Sequence, residues 1–243
     1  MNGHLPPKIS RSPLQRPTYW SGSSQRNKFV NDFTSAMKRI AESTVRRLSL
    51  YLGFLEDIHR RGTTTVSSEE LAKLGGTTSA QVRKDLSRFG SFGKRGLGYS
   101  VAELLERLRQ IMGLERRWRV CIIGAGKIGA ALAQYEGFAQ RGFDVVAVYD
   151  SNSARVGESL GELPVRDVTF FERDAETEKF DIAVLAIPAR GAQKMAERVA
   201  RAGVAAILNF VPGQITAPPK VAMRTVNMAM ELEALSFALT NRE

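Results

Sequence analysis

The segment that most restricts the fold is "RVCIIGAGKIG", residues 119–129, an apolar run ending in glycines at 124, 126 and 129 and followed by a helical pattern, "AALAQYEGFAQRG". A strand that turns into a helix through G-x-G-x-x-G has a physical reading at each glycine. The first permits the tight turn, the second lets the backbone approach a pyrophosphate, and the third lets the helix close on the strand. The helix N-terminus adds unpaired amides and partial positive charge. Gly124, Ala125, Gly126, Lys127, Ile128 and Gly129 are therefore expected to cradle dinucleotide phosphates, with Lys127 able to add a direct contact. Four further runs, "FDVVAVYD", "FDIAVLAIP", "VAAILNF" and "VAMRTVN", read as strands, with helical patterns between most of them. Continuous apolar strands alternating with helices predict an α/β fold, a parallel sheet covered on both faces. Residues 116–225 are thus expected to form a Rossmann-type NAD(H)-binding domain.

The second strand ends at Asp150, 21 residues past Gly129. A carboxylate there can accept a hydrogen bond from a ribose 2′-hydroxyl and repels a 2′-phosphate, which favours NAD over NADP. Arg155 lies close enough to soften that exclusion. The two histidines, His4 and His59, both precede this half. The nucleotide domain therefore lacks a histidine general acid for hydride transfer, and little chain remains for a substrate domain. A lysine or tyrosine could serve instead, so the absence weakens the enzyme reading without ending it; no enzyme and no metal site is expected. His59 is read as a dipole partner near a helix C-terminus. The single cysteine, Cys121, sits inside an apolar run, so it reads as a small buried hydrophobe in a protein of the reducing cytosol. No apolar run reaches the length of a membrane span.

Charge divides the chain. Residues 1–112 carry 19 Lys/Arg against 9 Asp/Glu, whereas residues 113–243 carry 16 of each, so the whole net charge of +10 lies in the first part. That asymmetry joins a polyanion-binding half to a neutral one. Residues 1–42, rich in Pro, Ser, Asn and Arg, read as a disordered basic extension: either an arm that adds phosphate affinity or a stretch ahead of a true start at Met37. Residues 43–112 read as a winged helix-turn-helix domain. "VRRLSLYLGFLEDIHRRG" has Leu48, Tyr51, Leu52, Leu55 and Ile58 at helical spacing. Three capping boxes follow, Ser67 with Glu70, Thr78 with Gln81 and Ser100 with Glu103, and Gly75-Gly76 makes the turn.

Within "QVRKDLSRFGSFGKRGLGY" (81–99), Val82, Leu86 and Phe89 share an inward face. Arg83, Lys84, Ser87 and Arg88 point elsewhere, with Ala80 opening that outer face. Small residues and cations outward suit a helix that enters a major groove. Ser79 and Gln81 sit at its N-terminal end, placed to touch base edges or phosphates. Gly93, Gly96 and Gly98 allow a tight hairpin whose tip cations, Lys94 and Arg95, suit a minor groove.

Together with "GAGKIGAAL", "YEGF", "KMAERVARAGVAAILNF" and the final "LEALSFAL", that stretch closely resembles the Rex family of redox-sensing transcriptional repressors, over roughly residues 44–240. The resemblance implies a cytoplasmic homodimer, with the C-terminal helix of residues 226–243 swapped onto the partner subunit. It implies binding to a palindromic double-stranded operator and release at a high NADH to NAD ratio. It places the 124–129 loop and Asp150 on the adenosine and pyrophosphate, and Tyr135 near the nicotinamide. Ile187 and Pro188 of "AIPA" and Asn209 and Phe210 of "NF" would line the rest. A tight apolar nicotinamide pocket can prefer the neutral NADH ring over the charged NAD ring.

The chain departs from that family pattern at three places. Gly53 stands where many members carry an arginine, Asn227 where many carry an aspartate, and Arg88 where a tyrosine is common. In the family the arginine and aspartate pair in the DNA-bound state. Losing both avoids an unpaired buried charge, and the expectation is a switch of altered sensitivity and unchanged sense. Two other readings are a DNA-binding paralogue without redox response and an NAD-dependent enzyme with an appended DNA-binding domain.

Overall fold

The computed structural model describes residues 40–90, 93 and 97–241. Residues 1–39 of the expected 1–42 extension and the wing-tip cations Lys94 and Arg95 lie outside the described residues, whereas residues 40–42 are described and Glu42 opens the first helix.

The first unit is built around α1 (Glu42–Arg60). Its buried side chains, Leu48, Tyr51, Leu52, Leu55 and Ile58, recur at the spacing of one helical face and meet Leu71, Val82, Leu86, Leu104 and Leu108. Each fully buried aliphatic side chain stabilises this core by about 1.5–3 kcal/mol. After β1 (Thr65–Val66), Ser67 opens α2 (Ser68–Leu74) with a reciprocal capping box to Glu70. Thr78 caps α3 (Ser79–Ser87) through the Gln81 backbone N–H, and Ser100 caps α4 (Val101–Ile111) through that of Glu103. Only the first of the three predicted boxes is reciprocal by observation, because the Gln81 amide turns away to Asp85. β2 (Tyr99–Ser100) pairs antiparallel with β1, which closes the base of the wing. A Cβ on Gly98 would overlap the Val66 carbonyl, and its φ of +80° also demands glycine.

The second unit is one sheet of seven strands: β3 (Trp118–Ile123), β4 (Phe143–Asp150), β5 (Ser159–Leu160), β6 (Leu163–Asp167), β7 (Ile182–Leu185), β8 (Ala206–Asn209) and β9 (Ala222–Thr225). They lie in the order β5-β6-β4-β3-β7-β8-β9, all parallel except the β5–β6 hairpin. The six parallel strands, numbered by appearance, run 3-2-1-4-5-6, the doubly wound order whose chain direction reverses between β3 and β7. α7 (Phe171–Glu178) and α8 (Ala192–Arg201) cover one face over Cys121, Ile123, Ala183 and Ile207. On the other face α5 (Lys127–Ala133) and α6 (Glu136–Gln140) cover only the β3–β4 side. The chain ends in α9 (Met228–Thr240), which buries no residue.

Three features differ from the sequence reading. The sheet has seven strands and not five, because β5 is only two residues long and "LPVRD" of β6 has no apolar run and carries a proline. That proline is tolerated because Pro164 pairs only with the short β5. The predicted helix after the glycine loop is two helices, broken at Tyr135. Asp85 is also an unexpected finding: it lies fully buried in the core face of α3. Arg47 of α1 donates to it twice, Nε to Oδ2 at 2.6 Å and Nη2 to Oδ1 at 2.8 Å. Gln81 Nε2 donates to Oδ1 at 2.8 Å, and the Tyr51 hydroxyl to Oδ2 at 3.3 Å. Burial pushes the Asp85 carboxyl up, but the hydrogen bonds from Arg47 and Gln81 pull it further down, so it stays below its ordinary 3.8. Burial and the neighbouring Asp85 raise Tyr51 to about 12.

Breaking this pair from one side strands a buried charge. Arg47→Met is expected to lower unfolding stability by about 3 kcal/mol, and Arg47→Lys to recover only part of that because lysine lacks the fork. The folded carboxyl titrates below the unfolded one. Its stabilisation is therefore complete above 3.8 and lost as pH falls below that value. Calorimetric unfolding from neutral pH down through the carboxylate range should show that loss, and Asp85→Asn should flatten it. An Arg47→Met protein as stable as the parent would contradict this account.

Candidate nucleotide crevice and DNA-reading helix

The glycine loop sits at the carboxyl end of β3, where the strand order reverses and a crevice must open. Gly124 has φ of +105°, and a Cβ there would overlap the Ala186 carbonyl at the end of β7 and come within 2.9 Å of Ile187 Cγ2. A Cβ on Gly129 would overlap the Gly124 carbonyl. These two glycines are demanded by the protein itself. Gly126 is different: its φ is −65°, and a Cβ would meet nothing within 4 Å. No part of the described fold needs glycine there. A ligand backbone brought against the loop would, so the residues fit a dinucleotide pyrophosphate. Lys127 and Ile128 are exposed beside it, and Ala125 is buried.

Asp150 closes the loop from β4. Its Oδ2 accepts from Ala125 N at 2.7 Å and its Oδ1 from Asn152 N at 2.8 Å. Each oxygen keeps lone-pair capacity for a ribose hydroxyl. Arg155, read from sequence only as a neighbour, donates to the Ala125 carbonyl at 2.6 Å and braces the same loop.

The other predicted nucleotide residues separate. Ile187 flanks Gly124, and Pro188 is exposed beyond it. Asn209 is fully buried, with Nδ2 donating to Thr225 Oγ1 at 3.2 Å and Oδ1 accepting from Val211 N at 2.9 Å. It shapes the loop after β8 and presents no amide to the crevice. Phe210 is partly buried and packs against the core cluster that includes Ala125. Tyr135 is 59% exposed, edge-on to Phe138 at 5.2 Å. Its ring lies over Gly137, where a Cβ would overlap it. Tyr135 and Phe138 line a cavity of about 910 Å³ that runs beneath Ile40 and Glu42 over the bare side of the sheet, against Ile182, Val184 and Leu208.

In the first unit α3 presents Ala80, Arg83, Lys84, Ser87 and Arg88 to solvent on one side, and buries Val82, Asp85 and Leu86 on the other. Ser79 is half-buried at its start. Arg83 Nη1 donates to Ser68 Oγ at 2.9 Å, and Ser87 Oγ to the Lys84 carbonyl at 3.1 Å. Gln81 spends one N–H of its side-chain amide on Asp85, which leaves its second N–H and its carbonyl oxygen for other partners. The Arg47–Asp85 network was missed from sequence. An aspartate at the i+3 place between Val82 and Phe89 is the signal that could have found it.

Among the described residues there is no helix long and apolar enough to cross a membrane and no cluster of His, Cys, Asp or Glu able to hold a metal ion.

A family model described as a putative DNA-binding protein N-terminus matches residues 39–87, and one described as a CoA binding domain matches residues 115–213. The redox-sensing transcriptional repressor Rex of Carboxydothermus hydrogenoformans is 44% identical over 199 residues, 82% of this chain and 96% of that protein. The one from Streptomyces coelicolor is 43% identical over 198 residues, 82% and 77%. Of solved structures, RSP, a Rex-family repressor, superposes with a TM-score of 0.78 in its complex with β-NAD+ and operator DNA, at 36% identity over 82% of this chain and 92% of that one. Its complex with β-NADH gives 0.75 at 35% identity, over 82% and 94%. With identity sustained through both the helix-turn-helix and the doubly wound sheet, the chain belongs to the Rex family of redox-sensing transcriptional repressors.

Proposed function

We propose that this protein is a DNA-binding repressor that reads the ratio of NADH to NAD, binds a palindromic operator and releases it when NADH accumulates. The observation that carries the reading is the pairing, on one chain, of a cation-faced helix with a glycine loop whose central glycine nothing in the fold requires. Arg83, Lys84 and Arg88 supply phosphate contacts, and Ala80 and Ser87 leave room for base edges. The loop 124–129 takes the pyrophosphate, and Asp150 takes a ribose hydroxyl. When bound, the nicotinamide supplies a ring that is cationic when oxidised and neutral when reduced. Tyr135 and Phe138 offer it an apolar wall, which disfavours the charged form. The nucleotide domain carries no histidine that could act as general acid for hydride transfer, and in this reading the protein is a regulator rather than an enzyme and acts in the cytoplasm, where its operator is.

The active unit in this reading is a homodimer. α9 exposes Met228, Met230, Leu232, Leu235, Phe237 and Leu239, each 58–70% accessible. Apolar side chains spread over more than one face of a helix need cover on more than one side. A parallel sheet needs both faces covered, yet the β7–β8–β9 side opens on the 910 Å³ cavity. A second copy supplies the missing cover by lending its own α9, and takes this one in exchange. In this scheme residues 43–112 read DNA, 116–225 hold the cofactor and 226–243 join the subunits.

Three measurements test the reading. In fluorescence anisotropy with an A/T-rich palindromic duplex at fixed salt, NADH should weaken binding by at least about fivefold and NAD should not. Indifference to both would leave a DNA-binding protein without a redox sense. Gly126→Ala should keep the parent's thermal stability, since its Cβ meets nothing, and yet lose about tenfold or more in NADH affinity. Equal affinity would remove the pyrophosphate from that loop. Leu235→Glu with Phe237→Glu should convert the protein to a monomer by light scattering and weaken operator binding.

A further inference from the structure

α6 is a single turn with a side chain of consequence at each end. Tyr135 is its N-cap and Arg141 its C-cap, and both line the cavity between the two units. Arg141 reaches across to α1 of the DNA-reading unit. Its Nη1 lies 3.3 Å from Glu56 Oε2, and Arg109 Nη2 approaches the other carboxylate oxygen at 3.6 Å. The Arg141 guanidinium rests over Gly53, where a Cβ would come within 2.9 Å of Nη2. Gly53 and Glu56 are three residues apart and so share a face of α1. Glycine inside a helix weakens it, and neither the φ of Gly53 nor the packing of α1 demands one. The gap serves the arginine. A second ion pair, Glu42 with Arg224, ties α1 to β9 at the opposite lip of the cavity.

We propose that Arg141, Glu56 and Gly53 form the coupling contact through which the state of the nucleotide site reaches the recognition helix. The proposal rests on the reading of the protein as an NADH-responsive repressor. A five-residue turn cannot absorb displacement within itself, so a shift of Tyr135 moves Arg141 with it. Arg141 grips α1 at Glu56. Nine residues earlier on the same helix, Arg47 grips Asp85 of α3. Nicotinamide-side motion thus has a path through α1, entered at the Arg141–Glu56 pair and left at the Arg47–Asp85 pair, to the buried face of α3. Glu56 is 23% exposed and Arg141 43% exposed, so the pair adds little to global stability. A contribution of that size still biases an equilibrium between two domain arrangements when it is made in only one of them. In this proposal it belongs to the operator-bound arrangement, where α1 and the α3 packed on it must be held in position. Arg141 and Glu56 are in this proposal positioning residues, acting through α6 and α1.

The test is a charge-reversal cycle on the full chain, Glu56→Arg, Arg141→Glu and both together. Operator affinity is measured by anisotropy with and without NADH, and NADH affinity separately by its own fluorescence. Each single variant should bind operator about fivefold more weakly without NADH, with a smaller loss in its presence, so the NADH effect narrows. NADH affinity without DNA and the melting temperature should stay near the parent's, and the double variant should regain most of the effect. Singles that keep the parent's NADH effect, or a double variant that regains nothing, would overturn the proposal. Should the parent itself show no NADH effect, the redox reading fails. The contact is then judged by free-protein operator affinity alone: a loss in the singles that the swap restores supports it, and no loss overturns it.

Discussion

The close approach of α5 to β3 sets the geometry on which the nucleotide half depends. Gly129 lies against the carbonyl of Gly124, and Gly124 against that of Ala186, with no space for a Cβ at either. Backbone packed on backbone pins the first turn of α5 to the ends of β3 and β7. The crevice forced open by the reversed strand order therefore faces amides, and a phosphate can use them. Asp150 and Arg155 complete the loop from β4 and beyond, one accepting from Ala125 N and the other donating to its carbonyl. The acid at the end of β4 consequently has two tasks. It fixes the loop, and in the proposed reading it keeps capacity for a ribose hydroxyl, so a dinucleotide would meet a preorganised site and avoid an ordering cost.

The DNA-reading half depends on a different kind of constraint. A recognition helix must show cations to phosphate on one side while its other side is held without slack. Apolar packing through Val82 and Leu86 holds α3 against the core, but packing alone resists sliding poorly. The bidentate fork of Arg47 on a fully buried Asp85 fixes register and rotation together, since two parallel hydrogen bonds tolerate little displacement. Gln81 on the same helix and Tyr51 on α1 fill the remaining acceptor sites. Such a network is worth less in stability than in specifying one orientation.

What the sequence makes legible follows from how local the cause is. The α/β class, the glycine loop, the acid ending β4 and the outward cations of α3 rest on short-range patterns, and the structure has them where the patterns put them. β6 is hidden because Pro164 and the polar residues around it break the apolar run that betrays a buried strand. The break at Tyr135 is hidden because "AALAQYEGFAQRG" has helical composition throughout, and only the structure shows the extended backbone of Tyr135, its ring lying over Gly137. Asn209, assigned to the pocket lining by resemblance, spends both polar atoms on Thr225 and Val211. The contact of Arg141 with Glu56 over Gly53 joins residues almost ninety positions apart, and no periodicity signals such a pair.

The polarity of the last helix ties these halves into one argument. Met228, Leu232, Leu235 and Leu239 recur at helical spacing, yet Met230 and Phe237 lie on other faces and are no less exposed. A helix docked on one surface would need only one such face. A helix apolar on several must be surrounded, and the cavity bounded by both units of a chain is a place that surrounds. The same cavity is walled by Tyr135 and Arg141 on one side and by Glu42 on the other. Whatever fills it therefore touches the nucleotide-side turn, the bare sheet face and the helix that positions α3. If the filling helix comes from a second copy, any change in the gap between the units of one subunit must be felt by the other. Two recognition helices would then engage or leave a palindrome together, as symmetry of the operator requires.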